Sequence, residues 1–281
     1  MYTVKFSELL PKYDVILFDS YGVLKNYNGV IEGTHDAMTL LQTKNIPYRV
    51  LTNDASSSPA ILSEKFKKGG LNIPANHIIT SGMMAKSFLS TKSINGKVLY
   101  LGTANSSQYI IEANQEALSI SEYDDSLIHE IGAVVFLDDE GYKWSTDINK
   151  VVNLLRKRTI PVIVANSDKI YPVAKNDVSI ATGAIAQLVE SILNRDFIHF
   201  GKPDVQMFAY AFDDLTKEHG DLDKSRVLMV GDTLHTDILG GTKFGVDTLL
   251  VLSGNTSVKN AESMIQTTGV APDYISESIA S

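Results

Sequence analysis

A series of short apolar runs, rich in β-branched residues and spread along the whole chain, constrains its fold more than any other feature. They cover residues 15–19, 48–52, 97–101, 133–137, 162–165, 227–230 and 248–252. Each run is continuous rather than alternating, the pattern of parallel strands covered on both faces. Helical periodicity fills the intervals. Ile185, Leu188, Val189 and Ile192 share one face, as do Val205, Phe208, Ala209, Phe212 and Leu215 behind Pro203, a residue suited to open a helix. Ser58-Pro59 ahead of Ile61, Leu62 and Phe66, with Gly69-Gly70 behind, supplies a start and a stop. The alternation predicts an α/β protein built on a Rossmann-like doubly wound parallel sheet.

The 281 residues leave room for two units. Residues 82–186 lie between the early strands and the late ones and carry strands and helices of their own. They are read as a second α/β domain inserted into a core made of residues 1–81 and 187–281. Composition narrows the function. The absence of cysteine excludes disulfides, thiolate nucleophiles and cysteine metal sites. A formal charge of −8 argues against a nucleic-acid partner, whose phosphate backbone calls for a basic surface. No apolar run approaches the ~20 residues that span a bilayer, so no membrane partner is expected. The first residues, with Lys5, Glu8, Lys12 and Asp14, lack the apolar stretch of a signal peptide, and a cytoplasmic protein is expected. A small anionic ligand stays compatible, because a few cations and a metal reverse the sign of the field locally.

In open α/β sheets, ligands sit beyond the carboxyl ends of the strands. Asp19-Ser20, Thr52-Asn53 and Gly231-Asp232 close three of the runs, and neighbouring strands would merge them into one site. Asp19 is either a nucleophilic carboxylate, with Gly22 allowing a tight loop whose N–H groups face an anion, or a turn aspartate. Thr52 and Asn53 offer a hydroxyl and an amide to phosphoryl oxygens, or open an ordinary turn. Lys202, between Gly201 and Pro203, is either a rigidly held ammonium for a phosphate or a solvated lysine. Asp232 and Asp237 are hard oxygen ligands suited to Mg²⁺, or a turn aspartate followed by a helix-start aspartate.

Taken in order, the segments 17–24, 50–53, 199–204 and 229–238 resemble the four motifs of the haloacid-dehalogenase-like (HAD) superfamily. About 32 residues separate Asp19 from Thr52, too few for a cap, whereas about 150 separate Asn53 from Lys202. That spacing is similar to the class IIA phosphatases with a C2-type α/β cap, the nitrophenylphosphatase, pyridoxal phosphatase and sugar phosphatase group. Ile78-Ile79-Thr80-Ser81-Gly82, Ala165-Asn166-Ser167-Asp168 and Ala181-Thr182-Gly183-Ala184 add to the likeness.

The resemblance implies a Mg²⁺-dependent phosphatase acting on a small phosphorylated metabolite, such as a sugar phosphate, through an aspartyl-phosphate on Asp19. It implies metal ligation by Asp19, the backbone carbonyl of Tyr21, Asp232 and Asp237. Tyr21, Gly22, Thr52, Asn53 and Lys202 would bind the substrate, and Asn166, Asp168 and Tyr171 of the cap would reach it. By analogy the protein would be a homodimer.

One position departs from the pattern. Phosphatases of this superfamily carry an acid/base aspartate two residues after the nucleophile, and here that residue is Tyr21. An unperturbed phenol donates a proton but is a poor base at neutral pH. Either water or another side chain such as His235 takes over, or the leaving group needs little help, or the protein is a catalytically weak phosphate-metabolite binder or regulator. Asp19-Ser20-Tyr21-Gly22 locally resembles the haloacid dehalogenases, but those use no metal and carry their cap between the first two motifs. His35, His77 and His129 read as structural or surface residues, Trp144 as partly buried, and Lys65, Lys67 and Lys68 as a solvated helix face.

Overall fold

The computed structural model describes residues 3–174 and 177–280. In chain order its principal strands are β1 (Val15–Asp19), β2 (Tyr48–Thr52), β3 (Ile78–Thr80), β4 (Lys97–Leu101), β5 (Ala117–Ser119), β6 (Ile131–Phe136) and β7 (Val162–Val164). They continue as β8 (Ile170–Pro172), β9 (Val178–Ile180), β10 (Ile198–His199), β11 (Val227–Gly231), β12 (Asp247–Val251) and β13 (Tyr274–Ser276).

The larger sheet has the order β13-β12-β11-β1-β2-β3, with every pairing parallel. Its strands are continuously apolar because both faces are covered. On β1, Ile16 and Phe18 pack with Met38 and Leu41 of helix Thr34–Thr43 and with Leu62 and Phe66 of helix Pro59–Lys68. Val15 and Leu17 face the other way, toward Met207, Phe208 and Ala211 of helix Val205–His219. From β1 the chain runs to β2 and β3 on one side and later returns to β11, β12 and β13 on the other. The strand order therefore reverses at β1, and a crevice opens between the carboxyl ends of β1 and β11.

The inserted unit is a second parallel sheet, β10-β7-β6-β4-β5, with an antiparallel hairpin formed by β8 and β9. Helices Trp144–Lys157 and Thr182–Leu193 cover one face, through Val151, Leu154, Ile185 and Val189. Because that second helix lies on this sheet and β10 pairs with β7, elements of the unit run on to His199, past the expected limit at 186. The helix stripe is also narrower than its periodicity predicts. Ile185, Ala186 and Val189 are buried, whereas Leu188 and Ile192 are about half exposed, since only one side of the helix meets the sheet. Helix Val205–His219 starts two residues after Pro203, with the Asp204 side chain capping it by accepting from the N–H of Gln206.

Arg49 of β2 is buried and reaches Asp214 (2.7 Å) and Glu218 on helix Val205–His219. Those carboxylates are 41% and 47% exposed, so they rehydrate when the guanidinium is removed. Arg49→Met is therefore expected to cost about 1–2 kcal/mol, below the ~3–5 kcal/mol of an orphaned buried charge. Thermal unfolding checks this: at ~2–4 °C per kcal/mol, a melting point lowered by more than about 10 °C contradicts it.

Candidate active site

The switch point gathers four charged side chains from distant parts of the chain. β1 ends on Asp19, and β11 is followed directly by Asp232. A π-helical turn, Leu234–Ile238, brings Asp237 back beneath them, where its Oδ2 accepts from the N–H of Thr233 (3.0 Å). Carboxylate oxygens of Asp19, Asp232 and Asp237 lie within 4.8 Å of one another. Lys202 Nζ donates to Asp19 Oδ1 (2.5 Å) and Asp237 Oδ1 (2.8 Å). All four residues are at least nine-tenths buried.

Burial raises Asp19 to about 7, with Lys202 pulling it back and Asp237 pushing it further up. Asp232 is raised well above its ordinary value by burial, then by Asp19 and Asp237. Burial works against the charge of Lys202, but Asp19 and Asp237 outweigh it and hold the ammonium above its usual pKa. Three carboxylates against one ammonium leave a formal charge of −2 on hard oxygen donors, a set that fits a divalent cation of the oxygen-seeking kind. The packing leaves room for nothing larger beside Asp232: a Cβ on Gly22 would come within 2.1 Å of its Oδ2, and one on Gly254 within 1.9 Å.

Asn53 sits differently from expectation. Its Oδ1 accepts from the backbone N–H of Lys202 (2.8 Å), and its Nδ2 donates to the Lys202 carbonyl (3.0 Å) and to Asp168 Oδ1 (2.9 Å). Both amide protons are thus committed, and the side chain anchors the Lys202 loop instead of presenting itself to an oxyanion. Gly201, at φ +100°, makes the approach feasible, because a Cβ there would fall 2.6 Å from Asn53 Oδ1. Thr52 does border the open space above the cluster. Tyr21 borders it too, but its hydroxyl donates to the Pro172 carbonyl of β8 (2.7 Å), tying the loop after β1 to the inserted unit. His235 is exposed and does not line this space.

That space is a cavity of about 340 Å³ between the carboxyl ends of the two sheets. The core side contributes Ser20, Tyr21, Lys25, Thr52, Asp54 and Lys65, and Asn166, Asp168 and Tyr171 come from the segment after β7. Lys65, read as part of a solvated helix face, is exposed yet lines the cavity and donates to Ser57 Oγ (3.0 Å). Asp138, Asp139 and Glu140 were not singled out from the sequence, although they follow a run that becomes β6. The strand-end rule that marked Asp19 marks them equally. Burial, then Asp139 and Asp54, push Asp138 up to about 6. Tyr171 donates to Asp139 Oδ2 (3.1 Å), so the hairpin is held to the second sheet as well as to the core.

Comparison with known proteins agrees with this architecture. Residues 16–116 match the family of haloacid dehalogenase-like hydrolases, and residues 199–281 match the HAD-hydrolase-like family. A crystal structure described as a possible sugar phosphatase of the HAD superfamily, from Cytophaga hutchinsonii, is 51% identical, with a TM-score of 0.95 over 100% of this chain and 99% of that one. Chronophin from Bos taurus is 25% identical over 94% of this chain and 90% of its own length. An acid sugar phosphatase from Staphylococcus saprophyticus is 27% identical over 90% of this chain and 92% of its own. With its strand order, its inserted second sheet and these likenesses, the chain belongs to the haloacid dehalogenase-like superfamily, in the class IIA group of phosphatases.

Proposed function

We propose that the protein is a Mg²⁺-dependent phosphatase that hydrolyses a small phosphate monoester, a sugar phosphate or similar metabolite, through an aspartyl-phosphate on Asp19. The observation that carries the reading is the buried group of Asp19, Asp232, Asp237 and Lys202, with a polar cavity lined by Ser20, the residue that follows Asp19, and by Thr52. The names of the relatives point the same way, since a sugar phosphatase and a chronophin are among them.

Asp19 attacks phosphorus, forming an O–P bond as the ester P–O bond breaks, and the leaving oxygen takes up a proton. Water then attacks the phosphoryl group, releasing inorganic phosphate and the free carboxylate, so one hard step becomes two easier ones. Lys202 holds Asp19 by its Oδ1 and adds positive charge where the transferring group gathers negative charge. Thr52 and the loop of Ser20 and Tyr21 receive phosphoryl oxygens, whereas the N–H of Gly22, expected to face the anion, is given to the Lys25 carbonyl (2.7 Å). Mg²⁺, held by Asp19, Asp232, Asp237 and the Tyr21 carbonyl, would offset the repulsion between an anionic nucleophile and an anionic substrate. The inserted unit acts as the cap, and its polar wall of Asp138, Asp139 and Asn166 suits a hydroxyl-rich leaving group.

A metal-dependent release of phosphate from p-nitrophenyl phosphate tests this reading, with the Asp19→Asn protein as blank. Absence of turnover across a broad panel, together with tight calorimetric binding of phosphorylated metabolites, would establish the binder reading instead. The bond from Tyr21 to Pro172 favours that second reading to one degree: the hydroxyl that stands where an acid/base aspartate is usual already donates its proton to the cap. Tyr21→Asp is expected to raise kcat by up to about 10²-fold, the lower part of the range for general acid–base catalysis. An unchanged or lower kcat means that proton transfer from this position does not limit the rate. Among the described residues, no helix is long and apolar enough to cross a membrane. A cytoplasmic setting and a homodimer formed through the cap complete the proposal, the latter checked by sedimentation.

A further inference from the structure

The loop after β12 reaches back over the end of β11 and grips one carboxylate of the cluster at both oxygens. Asp232 Oδ2 accepts from the backbone N–H of Asn255 (2.6 Å), and Oδ1 accepts from the Thr233 hydroxyl (2.8 Å). Asn255 Nδ2 in turn donates to Thr233 Oγ1 (2.9 Å). The protons run one way. An ionised carboxylate only accepts, so Thr233 gives Asp232 its single proton and turns a lone pair toward Asn255, whose amide can fill it. The same loop is fastened elsewhere: Ser253 Oγ donates to the Gly22 carbonyl (2.7 Å), and the Thr256 N–H to the Asp232 carbonyl (3.1 Å). Gly254 packs so closely on Asp232 that a side chain there would displace the carboxylate.

Asp232 depends on this grip more than its neighbours do. Asp19 and Asp237 share the ammonium of Lys202, whereas Asp232, 1% exposed, has no cationic side chain within 4.0 Å among the described residues. A buried carboxylate without a cation is held only by the hydrogen bonds it accepts. Its remaining lone pairs point wherever those bonds leave them.

We infer that Asn255, acting through Thr233, is a positioning residue that sets the orientation in which the Asp232 carboxylate meets a divalent cation. The inference rests on the metal site proposed above and adds to it Asn255, a residue outside the four motifs, together with Thr233, a residue of the fourth to which no role is given above. Groups that orient a ligand in this way typically change metal affinity by about 10- to 100-fold when removed.

The test is direct titration of the metal-free protein with Mn²⁺, read by the electron paramagnetic resonance signal of free Mn²⁺, with no substrate present. Thr233→Val keeps the shape and removes the hydroxyl; Asn255→Ala keeps the backbone N–H and removes only the relay. Affinity is expected to fall by about 10-fold in Asn255→Ala and by up to about 100-fold in Thr233→Val. Thr233→Ser, which restores the hydroxyl, is expected to bind within about threefold of the unaltered protein. kcat at saturating metal is expected to recover much further than kcat at limiting metal. Circular dichroism and melting points of the metal-free variants separate loss of orientation from loss of fold. If either folded variant, Asn255→Ala or Thr233→Val, binds Mn²⁺ within twofold of the unaltered protein, the inference is overturned. If the unaltered protein binds no divalent cation, the metal reading itself fails, and the inference with it.

Discussion

Asp19→Asn is expected to lower turnover of a phosphate ester by at least about 10⁴-fold, the scale on which removal of a covalent nucleophile acts. The substitution keeps the shape of the side chain and an oxygen for Lys202, so the fold of the site survives. It removes the anionic oxygen that, in the proposed mechanism, attacks phosphorus, and one of the three carboxylates gathered within 4.8 Å. Two measurements follow. Steady-state release of phosphate with Mg²⁺ gives the rate, and rapid quenching followed by mass spectrometry looks for a phosphoryl adduct on the peptide containing residue 19. The unaltered protein is expected to carry the adduct and the variant to lack it. A variant retaining more than about one hundredth of the rate would remove Asp19 from the mechanism. Since a like charge leaves a buried cluster, the metal-free variant is expected to melt at or above the temperature of the unaltered protein. A marked fall would show that the carboxylate stabilises the fold, and the rate would then need a second substitution to interpret.

Lys202→Met carries the second large effect, in the opposite direction on stability. Lys202 is 2% exposed and is the cation of two ion pairs, with Asp19 and Asp237. Replacing it with a chain of similar length leaves buried carboxylates with no compensating charge, a change worth about 3–5 kcal/mol. The melting point of the metal-free protein is expected to fall by on the order of 10 °C. A divalent cation would supply the missing charge, so added Mg²⁺ is expected to raise the melting point of the variant by more than it raises that of the unaltered protein. Equal increments in the two proteins would mean that the metal and the ammonium do not share the same carboxylates. Activity is expected to fall by about 10²–10³-fold even at saturating metal, the typical result of removing a charge that stabilises the transferring group. Lys202→Arg is not expected to rescue it, because a planar guanidinium does not fit a cradle built around a compact ammonium.

Much of the site was legible because it obeys a local rule. A carboxylate or hydroxyl that follows a continuous apolar run stands at the rim of a parallel sheet, and Asp19, Thr52 and Asp232 all qualify. The same rule applies to Asp138 after β6, whereas Asn255, an amide well past the end of β12, falls outside it. Nothing in the chain near Asn53 announces that its amide would be spent on the backbone of Lys202, a residue 149 positions away. Nor does periodicity alone reveal that Leu188 and Ile192 face solvent; that depends on how much of a helix one sheet can cover.

By itself the sequence determined seven of the strands named above to within two residues at each end, and the polar group that follows several of them, because continuous apolar runs can be satisfied only by burial on both faces; the short strands β3, β5, β8, β9, β10 and β13 carry no such run. Tertiary structure alone decided that β1 lies between β2 and β11, which brings Lys202 to Asp19 across 183 residues, and that the rims of two sheets face each other across one cavity. It also decided that Tyr21 is tied to β8 and that Asn255 reaches Asp232. The physical reason is range: burial is demanded residue by residue, whereas a hydrogen bond or ion pair between remote segments exists only once strand order has made them neighbours.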